Sequence, residues 1–418
     1  MSSVKQWKAQ AEMTYEHSVQ DHANAMQRIA VDGEEGQAIL TSENPQAYYS
    51  QLRERCPFTH NDDGSITALR MADVNAVTRS HDVLGNGGRG PSMGGTRPLI
   101  PLDLDGPMHT KYRKLLDPLF APKRVALLEP RIRERARALI DTFADAGEVD
   151  IFEEFCEPLP SSIFLGIMGL PQEDLQFFLS FKNGILKHDP SKGIEQIMAD
   201  IMAASEKCYA YFERVLAERS AQADPGDDLL GWLVTTSVDG HTLTREEELD
   251  IVYLLMIAGL DTVASSMSCL ITWFARNPER RQEVLDDPSL WPAVVEELMR
   301  FTSPVSTGYR YPQVDMEVGG EKISAQQQVV VSWAAANLDP DTFADPLTVN
   351  FHRETNPHIA FASGFHRCLG SHLARLEIRV ALEELFNRIP NFRIRDGHEV
   401  RFTANPRTPT NGLPLVWD

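Results

Sequence analysis

Apolar residues recur along most of the chain at the three-and-four spacing of helices rather than at the strict alternation of strands. Across 124–144 they fall at Val125, Leu128, Ile132, Ala136, Leu139, Ile140 and Phe143, a single stripe that predicts one half-buried helix. Thr244-Arg-Glu-Glu247 has the form of a capping box, in which the Thr244 hydroxyl and the Glu247 carboxylate each accept a free N–H at a helix start. It opens an apolar helix predicted to run to Arg276, where Asn277-Pro278 stops it. Further helices are predicted over 291–301, ending before Pro304, and over 368–389. Strand signals are few and short, at 65–69, 314–318, 329–333 and 413–417. Helical periodicity dominates from about Asp105 onward, and 343–365 has no period at all. That stretch, rich in Pro, Asn and His, is longer than connecting loops usually are and reads as functional. No repeat and no Pro/Gly/Ser linker divides the chain, so 1–418 reads as one large, mainly α domain with small β-sheet regions.

Composition narrows the class. Forty basic against sixty acidic residues leave a formal charge of −20, which argues against nucleic acid or an anionic membrane as partner. Five cysteines without a CxxC pair point to a reducing compartment rather than a disulfide scaffold. The polar segment 1–20 lacks the apolar core of a signal peptide, and the best apolar run, 251–260, is too short to span a bilayer. A cytoplasmic protein with no membrane attachment is the expectation.

Two famous motifs overlap between Gly85 and Gly94. Gly85, Gly87 and Gly90 satisfy GxGxxG, and Gly90 to Gly94 satisfies GxSxG. Both need a helix directly after the glycines, which Pro91, Gly94, Gly95 and Pro98 forbid, so the dinucleotide and serine-hydrolase readings fall away and a loop remains.

Phe361-Ala-Ser-Gly-Phe-His-Arg-Cys-Leu-Gly370 places a cysteine where an irregular loop meets the first turn of an amphipathic helix. Free N–H groups and the helix dipole there favour thiolate, the form that ligates metal. This segment resembles the haem-binding loop of the cytochrome P450 monooxygenases, F-G-x-G-x-H/R-x-C-x-G, with Ala362 standing where the second position is usually Gly. Glu297-Leu-Met-Arg300 resembles the family's ExxR pair, and Ala258-Gly-Leu-Asp-Thr262 its oxygen-activating helix. Glu134 and Arg137 fit ExxR too, but the order of motifs along the chain selects the later pair, with Arg353 as the third member. The resemblance extends from about Pro45 to the terminus, and its end is similar to that of bacterial camphor-hydroxylase relatives.

The resemblance implies the P450 fold and haem b, iron protoporphyrin IX, with Cys368 as the metal ligand. Phe361, Gly364 and Gly370 would shield or admit the flat group, and His109, Arg113, Arg310 and His366 would meet its propionates. Glu297, Arg300 and Arg353 would support the cysteine loop. Gly259 would open the distal helix for O2, Thr262 would hydrogen-bond the oxygen or its water, and Asp261 would feed protons, with Lys187 or His188 as its partner in a closed state. The implied reaction inserts one atom of O2 into a small, mostly apolar substrate by hydroxylation or epoxidation. No flavin module follows the haem region, so a separate ferredoxin and ferredoxin reductase are implied, docking on Lys111, Lys114, Lys123, Arg124 and Arg367 of a monomer. Segment 85–102 would close over the distal pocket. Arg97, Leu255, Ala258, Val305 and Thr410 are its candidate wall, with Arg97 placed to meet an oxygenated substrate end, turn outward or reach a propionate. A peroxygenase on the same fold would lack the Asp261–Thr262 pair, whereas a haem sensor or carrier would bind CO without consuming electrons.

Overall fold

A computed structural model describes residues 33–85, 97–187, 192–238 and 240–418. The chain is 55% helical with small sheets, which makes it mainly α. It divides into two compact units interleaved in sequence. Among the described residues one comprises those of 84–119 and 161–261, the other those of 33–83, 120–160 and 262–418.

In the first unit the helix Gly106–Leu116 is followed in the chain by Leu175–Leu186, Ile194–Ser220 and the first half of Arg245–Arg276. The capping box that opens this last helix is formed as the spacing requires: Glu247 N–H donates to Thr244 Oγ1 at 3.2 Å, and Thr244 N–H to Glu247 Oε2 at 2.7 Å. The carboxylate is used further, because Tyr112 donates to it at 2.5 Å and His241 approaches it at 2.9 Å. By length and composition this 32-residue helix could cross a membrane, contrary to the short run seen in sequence, but 83% of its most apolar window is buried. Packing inside the protein uses its apolarity.

The second unit holds a five-stranded sheet in the order Phe58–His60, Ile66–Ala68, Val329–Ser332, Thr307–Pro312, Val83–Leu84. Strand Val329–Ser332 runs parallel to Ile66–Ala68 and antiparallel to Thr307–Pro312. Ile66, Val329, Val331, Val74, Val77 and Trp333 form a core beneath it, closed by the helix Met71–Arg79. A three-stranded sheet joins Arg393–Ile394, Pro414–Val416 and Glu148–Asp150. The helices Trp291–Thr302 and Ser371–Arg388 complete the unit's framework.

Two sequence expectations change. The stripe over 124–144 is buried at Val125, Ile132, Ala136, Ile140 and Phe143, yet it belongs to two helices, Pro122–Ala126 and Glu129–Ile140. Pro130 has no N–H to give Ala126, so the helix must restart there. The helix predicted from Cys368 begins at Ser371, which leaves the cysteine just before the helix rather than in its first turn. The helices Gly33–Leu40, Gln46–Arg55 and Met71–Arg79 precede the region where the pattern announced helices.

Candidate functional site

The cysteine loop is held from both ends. Cys368 N–H donates to Phe361 O at 2.9 Å and Arg367 N–H to Gly364 O at 3.2 Å, so the segment folds back on itself. Gly364 has φ +75°, and a Cβ there would lie 2.0 Å from Thr78 O. The glycine therefore serves a close approach to the Met71–Arg79 helix. Gly370, in contrast, has open space where a side chain would be. Ser363 Oγ and Thr78 Oγ1 add a 2.8 Å bond beside Gly364. Ala362 sits at φ +59°, left-handed backbone that costs a residue with a Cβ roughly 1–2 kcal/mol. The departure from glycine therefore acts through conformation rather than loop width.

Behind the loop the three residues singled out in sequence meet. Arg300 donates to both Glu297 oxygens at 2.9 and 2.8 Å, and Arg353 to both at 3.1 and 3.3 Å. Asn350 N–H and Asn356 Nδ2 take the same carboxylate at 2.9 and 3.1 Å. Arg300 also binds the carbonyls of Asn337, Pro346 and Thr348, so an entirely buried guanidinium ties down an irregular stretch that has no ladder of its own. Burial raises the Glu297 carboxyl, but its hydrogen bonds with Arg300 and Arg353 outweigh that and hold it low. The decoy pair does not form: Arg137 bonds Glu384, and Glu134 is exposed. A neighbouring cluster that no motif announced joins Glu296, His358 and Arg375.

Cysteine environments separate sharply. Cys156, Cys208 and Cys269 are buried, which pushes their thiols up, whereas Cys368 and Cys56 are exposed. Cys56 ends the helix Gln46–Arg55 without a comparable loop.

On the long helix, Glu248 to Thr272 are buried except, among the described residues, Ala258, Gly259 and Thr262. With Leu255 these take positions i, i+3, i+4 and i+7, one face of the helix. The opening expected at Gly259 is not present, since the helix is unbroken; its missing side chain instead admits the Phe164 ring, 2.8 Å from an ideal Cβ. Asp261 is buried and pairs with Lys182 Nζ at 3.3 Å. Lys187, one of its two expected partners, is exposed, and His188 lies outside the described residues. Lys182 had a signal in the sequence: it stands among Phe178, Phe181 and Ile185 on the buried face of its helix, where a cation needs a partner.

Arg97 is engaged within the protein. Its Nε donates to Asp250 Oδ1 at 2.9 Å and its guanidinium lies 5.1 Å from the Tyr209 ring centre. Burial raises the Asp250 carboxyl to about 7 despite this partner. Thr410 is also misplaced: it is exposed and donates to Arg401 O, whereas Thr408, two residues earlier, meets Ser265 of the long helix at 2.7 Å. Val305 packs partly buried against the sheet core. Gly87, Gly90 and Gly94 lie outside the described residues, as does most of 85–102. His109 and Arg310 are buried, His366 is half-buried, and Arg113 bonds Asp117 at 2.8 Å. Lys114, Lys123, Arg124 and Arg367 are exposed, and Lys111 lies against the Tyr112 ring. Within the second unit the exposed Cys368, open space at Gly370, the buried Arg310 and the half-buried His366 are the thiolate-forming, cationic and imidazole side chains that haem takes.

The comparisons agree with that chemistry. The cytochrome P450 family model matches residues 97–408. Pentalenic acid synthase of Streptomyces avermitilis is 34% identical over 327 residues, 77% of this chain and 79% of the relative. Mycinamicin IV hydroxylase/epoxidase of Micromonospora griseorubida is 31% identical over 412 residues, 90% of this chain and all of the relative. A solved structure from Bacillus megaterium in complex with corticosterone superposes with TM-score 0.81 at 26% identity, covering 90% of this chain and 98% of its own. Cysteine loop, buried Glu–Arg–Arg cluster and family match over most of the chain converge: this chain belongs to the cytochrome P450 family and is a monooxygenase.

Proposed function

We infer that this P450 carries haem b, bound through the Cys368 thiolate, within a single haem domain. The observation that carries the reading is an exposed cysteine at the end of a loop that closes on Phe361 and is pinned by Thr78, after an irregular stretch tied down by Glu297 and Arg300, while three other cysteines are sealed in the interior. Haem ligated by thiolate supplies reductive activation of O2, with the thiolate favouring O–O cleavage. His109, Arg113, Arg310 and His366 neutralise its propionates by charge-assisted hydrogen bonds. Phe361 shields the sulfur.

Ala258 and Thr262 would line the oxygen side, where two short side chains leave room for substrate, and Gly259 beside them lets the Phe164 ring pack against the helix. The Thr262 hydroxyl would hold a proton on the oxygen side, and Asp261, once its carboxylate has left Lys182 and taken a proton from water, would pass that proton on. The substrate is a small, mostly apolar organic molecule, hydroxylated or epoxidised; Leu255, Ala258 and Val305 supply apolar wall. The name of the mycinamicin relative, a hydroxylase/epoxidase, supports the reaction type. Electrons come from a ferredoxin and its reductase, steered by Lys111, Lys114, Lys123, Arg124 and Arg367 onto a cytoplasmic monomer.

A reduced-plus-CO difference spectrum tests the reading. A Soret band at the thiolate position is expected, and a histidine-type band overturns it. Thr262→Ala should keep substrate binding and electron consumption but divert reduced oxygen to hydrogen peroxide, and unchanged coupling to product would remove Thr262 from this role.

A further inference from the structure

Glu296, the residue before the buried Glu297, accepts three hydrogen bonds. Arg375 donates through Nε at 2.5 Å and Nη2 at 2.9 Å, and His358 Nε2 lies 2.8 Å away. His358 Nδ1 accepts the Ala360 N–H at 3.2 Å, so its proton sits on Nε2 and points at the carboxylate. The fork of Arg375 is held at its other end by Ser371 O at 3.2 Å. Fixed in this way, the guanidinium lies over the Phe361 ring, 4.2 Å from its centre, with the His358 ring 6.1 Å from the same centre. Phe361 is the residue whose carbonyl accepts the Cys368 N–H. Carboxylate, cation, aromatic ring and cysteine segment are therefore in serial contact.

We propose that Glu296 is a positioning residue that seats Arg375 on Phe361, and that this ion pair sets the reduction potential of the iron bound at Cys368. The proposal rests on the haem-thiolate reading above. Gaining an electron makes the iron–thiolate unit more negative, so a cation nearby favours the reduced form and a carboxylate opposes it. The pair places both charges close to the cysteine segment, the cation against the ring and the anion one step behind it. Protein control of haem potential through charge, burial and hydrogen bonding around the ligand is general. Ordinary support of the loop does not require a charge on Phe361, since Glu297, Arg300 and Arg353 already supply it.

The test is the one-electron potential of the haem-loaded protein and of three variants. Glu296→Gln keeps one acceptor for Arg375 and removes the negative charge, so the potential should rise. Arg375→Gln removes the cation and should lower it. Each shift should approach tenfold in the reduction equilibrium, ~59 mV for one electron. Arg375→Lys keeps the charge without the fork and should fall less than Arg375→Gln. All variants should retain the thiolate CO band. Equal potentials, or shifts of the same sign in Glu296→Gln and Arg375→Gln, would overturn the proposal, because loosening the loop moves both alike. Should Arg375→Gln not fold, a rise in Glu296→Gln with at most a small fall in Arg375→Lys supports the proposal, and no rise rejects it. A parent protein without the thiolate band overturns the underlying reading as well, which separates the two failures.

Discussion

Two arginine–carboxylate pairs, one behind the cysteine loop and one at the start of the long helix, leave their acids in opposite states. Burial raises both Glu296 and Asp250, but hydrogen bonds with His358 and Arg375 bring Glu296 down to about 2, while Arg97 leaves Asp250 at about 7. The difference is donor number. Glu296 takes a bidentate fork and an imidazole, whereas Asp250 takes the single Nε of Arg97 and has Glu246 nearby. One nearby cation does not keep a buried carboxylate ionised; a complete set of donors does. The cysteine region is accordingly saturated with hydrogen bonds, and the Arg97 end is not.

The largest expected effect breaks the richer region at its centre. Cys368→Ser should give a folded protein without the thiolate CO band or monooxygenation, because an alcohol is a poor replacement for a charged soft ligand. Retention of both by spectroscopy and turnover would refute the ligand assignment.

Next come the buried pairs. Arg300→Met removes one of the two cations on Glu297 and leaves Arg353, whereas Lys182→Met breaks the buried pair with Asp261; both should destabilise in urea unfolding, Lys182→Met by roughly 3–5 kcal/mol. The comparison sharpens in the haem titration: Arg300→Met should weaken haem uptake, while Lys182→Met should leave it near the parent value. Equal losses of haem affinity would mean that the cysteine loop is not the specific beneficiary of Arg300.

Titration separates the two acids by sign. Asp250 has a raised folded pKa, so the fold binds the extra proton and stability falls as pH rises from about 4 to about 7, then levels. Glu296 has a lowered one, so its contribution is present above about 4.5 and is lost as pH falls toward 2. Asp250→Asn should therefore flatten the stability profile between pH 4 and 7 by on the order of 1–3 kcal/mol across that window. Parallel profiles for parent and variant would show that Asp250 is already ionised there.

The smallest effect is a gain. Ala362→Gly relieves left-handed backbone in the loop and should stabilise by about 1 kcal/mol, read as a raised unfolding midpoint with an unchanged CO band. A loss of stability would show that the alanine methyl packs for more than its backbone costs.

Much of this was legible because it is local. The capping box at Thr244, the stop at Asn277-Pro278 and the stripe from Val125 to Phe143 follow from chain spacing, and the structure contains each, the stripe split only by Pro130. The helix beginning at Gly33 and the two after it were missed, being only 8 to 10 residues long. Thr410 was expected on the pocket wall, but it is exposed at a bend and bonded to Arg401 O, nine residues away, a contact that spacing does not encode.

By itself the sequence determined which side chains are available: one cysteine in a motif, a Glu–Arg pair three residues apart, and an Asp-Thr on an apolar helix. Tertiary structure decided their partners. Asp261 took Lys182 rather than Lys187 because helix packing buried one lysine and left the other in water. Arg97 went to Asp250, 153 residues away, and Arg375 to Glu296, 79 residues away, because desolvated charges bind whichever opposite charge the fold brings within reach. Spacing along the chain encodes contacts within a helix turn or a strand pair, whereas these separations are closed only by the packed fold.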